Sequence, residues 1–164
     1  MNINKDAKGR TLYYVAADLI LTKENKVLLQ RRTNTGWNDG KWNLVGGHIE
    51  DDETLQECIV REAKEELGIQ INLTDVKIVH CIQYKSNRLS IQFYLACNVW
   101  SGTPTIQPEL ENNQIVYKAD KLEWFDIDNL PKDLIPTAKQ AIMASISGNS
   151  FSKMGFDEEK ALLQ

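Results

Sequence analysis

Apolar residues in this chain fall into short runs and alternations, separated by polar stretches that carry glycine. That spacing predicts several strands and two helices. Leu12 to Leu21 is rich in Val, Ala, Leu and Tyr, with Asp18 as its only charge, which marks a buried strand. A turn at Glu24-Asn25 leads to a second strand, Val27 to Arg31, and the two read as a hairpin. Thr33 to Lys41 holds Asn34, Gly36, Asn38, Asp39 and Gly40, which is loop chemistry. A short strand over Trp42 to Val45 is expected to stop at Gly46-Gly47.

A helix is expected from about Thr54 to Leu67. Asp51, Asp52 and Glu53 stand where a helix N-terminus favours negative charge, and Gly68 ends the helix as a cap. Val76 to Gln83 and Leu89 to Val99 are expected to pair across the polar connection Lys85-Ser86-Asn87-Arg88. Gly102 to Asn113 reads as a long loop with two prolines, Leu122 to Phe125 as a short strand, and Leu134 to Ile146 as a closing helix. The tail after Gly148 is assigned no element. There is no internal repeat and no low-complexity linker, so residues 1–164 are expected to form one domain.

Composition narrows the class without changing this outline. The apolar share of 42% and charged share of 26% are those of a soluble globular chain. A net charge of -4 argues against general nucleic-acid binding, so an anionic substrate would need local arginines or bound cations. Cys58, Cys81 and Cys97 are scattered, with neither zinc-site spacing nor a disulfide framework, and fit a reduced, cytoplasmic setting. The polar start Met1-Asn2-Ile3-Asn4-Lys5-Asp6 lacks a signal core, and no apolar run is long enough to span a bilayer.

The candidate chemistry lies between Gly47 and Ile69. On a wheel of about 100° per residue, Leu55, Ile59, Val60, Ala63 and Leu67 form one apolar arc. Glu62 and Glu66 fall beside and within the Leu55–Ile59 edge of that arc, one turn apart. Like charges at this spacing destabilise a helix by roughly 0.2–0.5 kcal/mol even in solvent, and burial raises the cost. Glu65 adds a third carboxylate to the turn. A divalent cation resolves the conflict, because clustered carboxylate oxygens suit Mg²⁺ or Mn²⁺. The competing reading is a solvated acidic helix face, which a stripe overlapping the apolar arc disfavours. Gly46-Gly47 lets backbone approach the helix and present a carbonyl to a cation. Arg61 can pair with Glu53, or with Glu57 or Glu65 along the helix surface.

Gly47, five residues, Glu53, seven residues, and then Arg61-Glu62-Ala63-Lys64-Glu65-Glu66-Leu67-Gly68-Ile69 resembles a complete Nudix box, with every fixed position at the right spacing. The resemblance implies the Nudix fold over nearly the whole chain, an α/β (α+β) architecture with a mixed β-sheet sandwiched between helices. It also implies a magnesium-dependent hydrolase of the MutT-like kind that cleaves a phosphoanhydride bond. Glu62 and Glu66 would be the principal metal ligands, with Glu65 a ligand or the group that deprotonates the attacking water. The Gly46 carbonyl would complete the inner site, and Arg61 and Glu53 would orient the box. A further acid from a later loop would be Glu109, or secondly Glu111. Arg32 and Arg88 stand where related enzymes contact phosphate or base, and Trp37 is placed to stack a nucleobase. Trp42, in an alternating strand, suits the core.

The resemblance implies a small nucleotide as partner; net charge and hydropathy point to no nucleic acid and no membrane, and a monomer or homodimer is expected. It leaves nucleoside triphosphates, dinucleotide polyphosphates, ADP-ribose and nucleotide sugars open, because the box handles only the diphosphate. Two positions depart from the family pattern. Val45 stands where Pro commonly precedes the glycines, and Leu134-Ile135-Pro136 lacks the asparagine that MutT-type enzymes use to read an oxidised purine.

Other chemistries fit less well. Gly36 to Trp42 has the wrong spacing for a phosphate-binding P-loop. No GxSxG occurs, and His48 and His80 are the only histidines; His48 sits near the glycines and His80 inside a strand. A ligand-sensing domain without hydrolysis would be expected to have lost acidic positions, and all are present here. An isoprenoid diphosphate isomerase would need a cysteine near the start of the box, whereas Cys58 lies within the helix.

Overall fold

A computed structural model describes residues 4–156; Met1–Ile3 of the polar start and residues 157–164 of the tail lie outside the described residues. The chain opens with β1 (Tyr14–Lys23) and β2 (Lys26–Arg32), a tight antiparallel hairpin with Thr22 opposite Val27. β3 (Trp42–Asn43) pairs with β2, and β4 (Val45–His48) pairs with β1. After α1 (Leu55–Leu67), the antiparallel pair β5 (Lys77–Lys85) and β6 (Leu89–Cys97) follows. β7 (Glu109–Glu111) and β8 (Gln114–Val116) form a separate small hairpin, and β9 (Ala119–Asp126) returns to β2. α2 (Pro136–Ser147) and β10 (Phe151–Met154) close the described chain.

The sheet runs β10-β5-β6-β1-β2-β3, with β4 also on β1 and β9 also on β2. The β1–β6 and β5–β10 pairs are parallel and the others antiparallel, so the sheet is mixed. Alternation along β1 feeds two layers. Ala17, Leu19 and Leu21 pack with Ile59, Ala63 and Leu67 of α1, while Ile20 packs with Ala138, Ala141 and Ile142 of α2. The sheet is therefore sandwiched between the helices, as the resemblance implied.

Local chemistry fixes α1. Thr54 accepts a hydrogen bond from the Glu57 amide (3.3 Å), and the Glu57 carboxylate accepts one from the Thr54 amide (2.7 Å), a reciprocal cap. Gly68 ends the helix at φ 68°, a left-handed conformation natural to glycine.

Several elements differ from the sequence expectation. The chain does not stop its strand at Gly46-Gly47: both glycines lie inside β4, paired with Asp18 and Ala17 of β1. Any Cβ at Gly46 would overlap the Ala17 carbonyl, so close strand approach is what requires the glycine. The stretch Gly102 to Asn113 is not all loop, since β7 begins at Glu109. α2 starts at Pro136 instead of Leu134, because Ile135 donates its amide to the Trp42 carbonyl (3.0 Å) and Leu134 bridges to Trp42 as extended chain. The tail carries β10, parallel to β5. His80, buried in β5, ties it there through the Asn149 carbonyl (2.7 Å) and the Ser152 hydroxyl (2.9 Å).

Candidate active site

β2 and β4 both pair with β1, at opposite ends of it, and separate between those ends. Near this fork opens a cleft of about 850 Å³. Its floor comes from Asp18 of β1 with Gln92 and Tyr94 of β6; one wall comes from the carboxylates of α1, which reach past the glycines of β4. Among the residues the sequence singled out, Arg32, Trp37, Gly46, Arg61, Glu62, Glu65, Glu66, Arg88, Glu109 and Glu111 all line it. Glu53 does not; it stands behind Arg61.

Glu62 is 9% exposed and lies against Gly47, where a Cβ would overlap its Oε1. Glu66, half-buried, accepts a hydrogen bond from Gln30 Nε2 of β2 (2.9 Å). Burial raises the Glu62 carboxyl above its ordinary range, against the opposing pull of Arg61. Burial, reinforced by the Glu62 charge, pushes Glu66 up to about 7, while Gln30 and the Gly46 amide favour its ionised form. Glu65, by contrast, is exposed at the cleft rim.

Arg61 serves several acceptors at once. Its Nη1 donates to Glu62 (2.8 Å) and Glu65 (3.2 Å); its Nη2 donates to Glu53 (2.8 Å) and the His48 carbonyl (3.2 Å), and its Nε to Glu53 (3.1 Å). The Glu53 carboxylate also accepts the Glu50 amide (2.8 Å). Hydrogen bonding from Arg61 outweighs desolvation and holds Glu53 down at about 2. The loop after β4 is thereby fastened to the helix.

The donor set fits a hard divalent cation. Glu62 and Glu66 offer oxygens one helical turn apart, and both are partly desolvated beside backbone that carries no side chain. Among the described residues no three acidic, imidazole or thiol groups already converge as a cage. Glu62 turns to Arg61 and Glu66 to Gln30, as mutually repelling carboxylates must. Glu109 is near enough for its charge to raise both Glu62 and Glu66. Lys118 pairs with Glu109 and, at 3.4 Å, with Glu111.

Two arginines also line the cleft. The Arg32 guanidinium lies 5.0 Å from the centre of the Trp37 ring, and its Nε donates to the Trp37 carbonyl (3.0 Å). Trp37 itself is 45% exposed at the mouth. Arg88 stacks 4.5 Å from the Tyr14 ring centre and lies 3.3 Å from His48 Nε2. Trp42 is buried, edge-to-face with Phe125 at 4.8 Å, in the core position its strand context indicated. Cys58 is buried and its thiol pushed up to about 12, so it is an inert packing group.

Sequence reasoning missed the floor. Asp18, Gln30, Gln92, Tyr94 and Lys118 all line the cleft. One signal was available: Asp18 is the lone charge in an apolar strand. Burial pushes its carboxyl up to about 7, with Arg32 opposing the shift and Glu62 adding to it.

Oxygen ligands for a hard cation opposite guanidinium groups are the equipment of enzymes that hydrolyse phosphoric anhydrides. The chain belongs to one family of these, the Nudix pyrophosphohydrolases: the family model for the NUDIX domain matches residues 12–145. It is 35% identical over 134 residues to an ADP-ribose pyrophosphatase of Methanocaldococcus jannaschii, covering 78% of this chain and 72% of that protein. It is 28% identical over 82 residues to an 8-oxo-dGTP diphosphatase of Proteus vulgaris, covering 50% of this chain and 73% of that one. The fold matches the crystal structure of a MutT NUDIX hydrolase from Burkholderia pseudomallei with a TM-score of 0.68 at 21% identity, over 81% of this chain and 98% of that one.

Proposed function

We propose that this enzyme hydrolyses, with Mg²⁺ or Mn²⁺, the phosphoanhydride bond of a nucleoside diphosphate linked to a further group, as in a nucleoside triphosphate or a nucleotide sugar. The observation that carries this is the pair of buried Glu62 and half-buried Glu66 opening on a cleft that also holds Arg32 and Arg88. The named relatives act on ADP-ribose and on 8-oxo-dGTP, two members of that substrate class. The reduced cysteines fit a cytoplasmic enzyme, acting as a monomer or homodimer on a small nucleotide.

Glu62, Glu66 and the Gly46 carbonyl would hold the cation, with Glu65 and Glu109 as further oxygen donors. When bound, the cation supplies neutralisation of diphosphate charge and a lowered pKa for the attacking water. Arg61, clamped by Glu53, positions Glu62 and Glu65. Glu65, exposed at the rim, takes the proton from water as it attacks phosphorus. Arg32 and Arg88 pair with the phosphate oxygens and draw charge off the leaving group. Trp37 offers its exposed ring face to the base.

The test is a nucleotide panel incubated with and without Mg²⁺, with products separated and ¹⁸O-labelled water used to locate the bond cleaved. Metal-dependent release of a nucleoside monophosphate supports the reading. Its partner product, pyrophosphate or a phosphorylated sugar, names the substrate group. Tight nucleotide binding with no metal-dependent turnover of any member would overturn it.

A further inference from the structure

We propose that the floor of the cleft selects guanine nucleotides, with Asp18 as the specificity-determining carboxylate and Gln92 as the donor beside it. The inference rests on the hydrolase reading only for where the phosphates lie.

β1 and β6 run parallel with Ala16 beside Gln92 and Asp18 beside Tyr94, so Asp18, Gln92 and Tyr94 share the sheet face turned toward α2. Tyr94 is 1% exposed and donates its hydroxyl to Gln92 Oε1 (2.9 Å). That bond engages the acceptor end of the amide and leaves Gln92 Nε2 to donate into the cleft. Asp18 lines the same cleft and has no hydrogen-bond partner among the described residues. Arg32, whose charge it feels, gives its Nε to the Trp37 carbonyl instead. A half-buried carboxylate with no protein partner is costly to keep, and the strand itself does not need one, since the residues around it are Ala16, Ala17, Leu19 and Ile20.

The floor thus sets a two-oxygen acceptor diagonally across from a single N–H donor, on neighbouring strands and two register positions apart, within convergent reach of one planar base. The Watson–Crick edge of guanine presents the complement: the O6 acceptor, then the N1–H and N2–H donors. Asp18 can take both N–H groups while Gln92 Nε2 donates to O6. Adenine presents the reverse order, an amino donor followed by the bare N1 lone pair, which would face the carboxylate oxygens. Hypoxanthine keeps O6 and N1–H but lacks the second donor. Sites that hydrogen-bond a ligand group discriminate strongly against analogues without it, because their own polar atoms are then stranded.

Equilibrium binding of GMP, IMP and AMP to the intact protein in EDTA at about pH 8.5, where the Asp18 carboxyl, raised by burial, is ionised, followed by calorimetry, tests this without requiring turnover. GMP is expected to bind roughly tenfold or more tightly than IMP or AMP. Asp18→Asn, which keeps the size and exchanges one acceptor for a donor, should bring GMP and IMP to within about twofold of each other. Gln92→Leu should weaken GMP and IMP together and leave AMP unchanged, which keeps the test open if Asp18→Asn fails to fold. AMP binding as tightly as GMP, no binding of any of the three, or an unchanged GMP preference in folded Asp18→Asn would each overturn the assignment. Guanine-selective binding with no turnover of any nucleotide would sink the hydrolase reading and leave this one standing. Metal-dependent turnover without guanine preference would do the reverse.

Discussion

The Glu62 carboxylate occupies the space in which a side chain on residue 47 would have to begin. Gly47 is therefore the negative image of the Glu62 carboxylate, and the strand that carries it can lie against α1 only because that position is bare. Gly47→Ala is expected to cost roughly 1–3 kcal/mol of stability through overpacking. It should lower turnover about a hundredfold by displacing Glu62. Thermal melting and kcat as a function of Mg²⁺ concentration check both. Normal Mg²⁺ activation in the variant would detach Glu62 from the metal site.

Glu65 is exposed and, among the described residues, bonded only to Arg61 at 3.2 Å, so its charge contributes little to the fold. Glu65→Gln should melt within about 1 °C of the parent. Its turnover should fall by about two to four orders of magnitude. A variant with parental kcat under saturating Mg²⁺ would remove Glu65 from the chemistry.

Arg32 faces the cleft from the end of β2, held over Trp37. Arg32→Ala should raise KM for the nucleotide roughly tenfold or more, the worth of a hydrogen bond to a charged group. Trp37→Ala should raise it as well, and Trp37→Phe should restore much of the loss, because stacking needs a ring face and not an indole N–H. Steady-state kinetics at saturating Mg²⁺ separates these effects from kcat. An unchanged KM in Arg32→Ala would place the phosphates elsewhere.

Burial holds Glu66 and Asp18 each at about 7, against ordinary values of 4.5 and 3.8. The folded chain therefore keeps protons on both that the unfolded chain releases. Their contribution to stability is full below the unfolded values and is lost as pH rises toward about 7. Glu53, held at about 2 by Arg61, acts in the opposite sense, and its contribution is lost as pH falls below 4.5. Metal-free protein is expected to melt highest at about pH 4.5 and lower at about pH 7.5. Millimolar Mg²⁺ should restore at least about 3 °C at the higher pH by neutralising Glu62 and Glu66. Melting curves across pH in EDTA and in Mg²⁺ measure this; a melting temperature indifferent to Mg²⁺ would deny the two carboxylates a cation.

Where a segment's structure was set by its neighbours in sequence, the sequence could be read closely. α1 was legible nearly to the residue because the Thr54–Glu57 cap and the Gly68 stop are built from adjacent groups. β4 was not, because glycines are poor strand formers and only pairing with β1 makes one of them. β10 was hidden for the same reason: its partner is β5, and His80 recruits it through groups 69 and 72 residues away. Glu109 and Glu111 were recognised as acids on a later segment, but their engagement by Lys118 depends on how β7 and β8 fold against the chain that follows.

The sequence alone determined that Glu62, Glu65 and Glu66 share the last turns of one helix, that Arg61 and Glu53 stand in reach of it, and that two glycines precede it. Helical spacing is a local geometry, fixed by backbone hydrogen bonds within a few residues. Only the tertiary structure decided what those groups meet: Gly47 under Glu62, Gln30 beside Glu66, and Asp18 with Gln92 across the floor. Those encounters depend on strand register and on which ends of β1 receive β2 and β4. They are settled by packing two hydrophobic layers on opposite faces of one sheet, a long-range balance that no single segment carries.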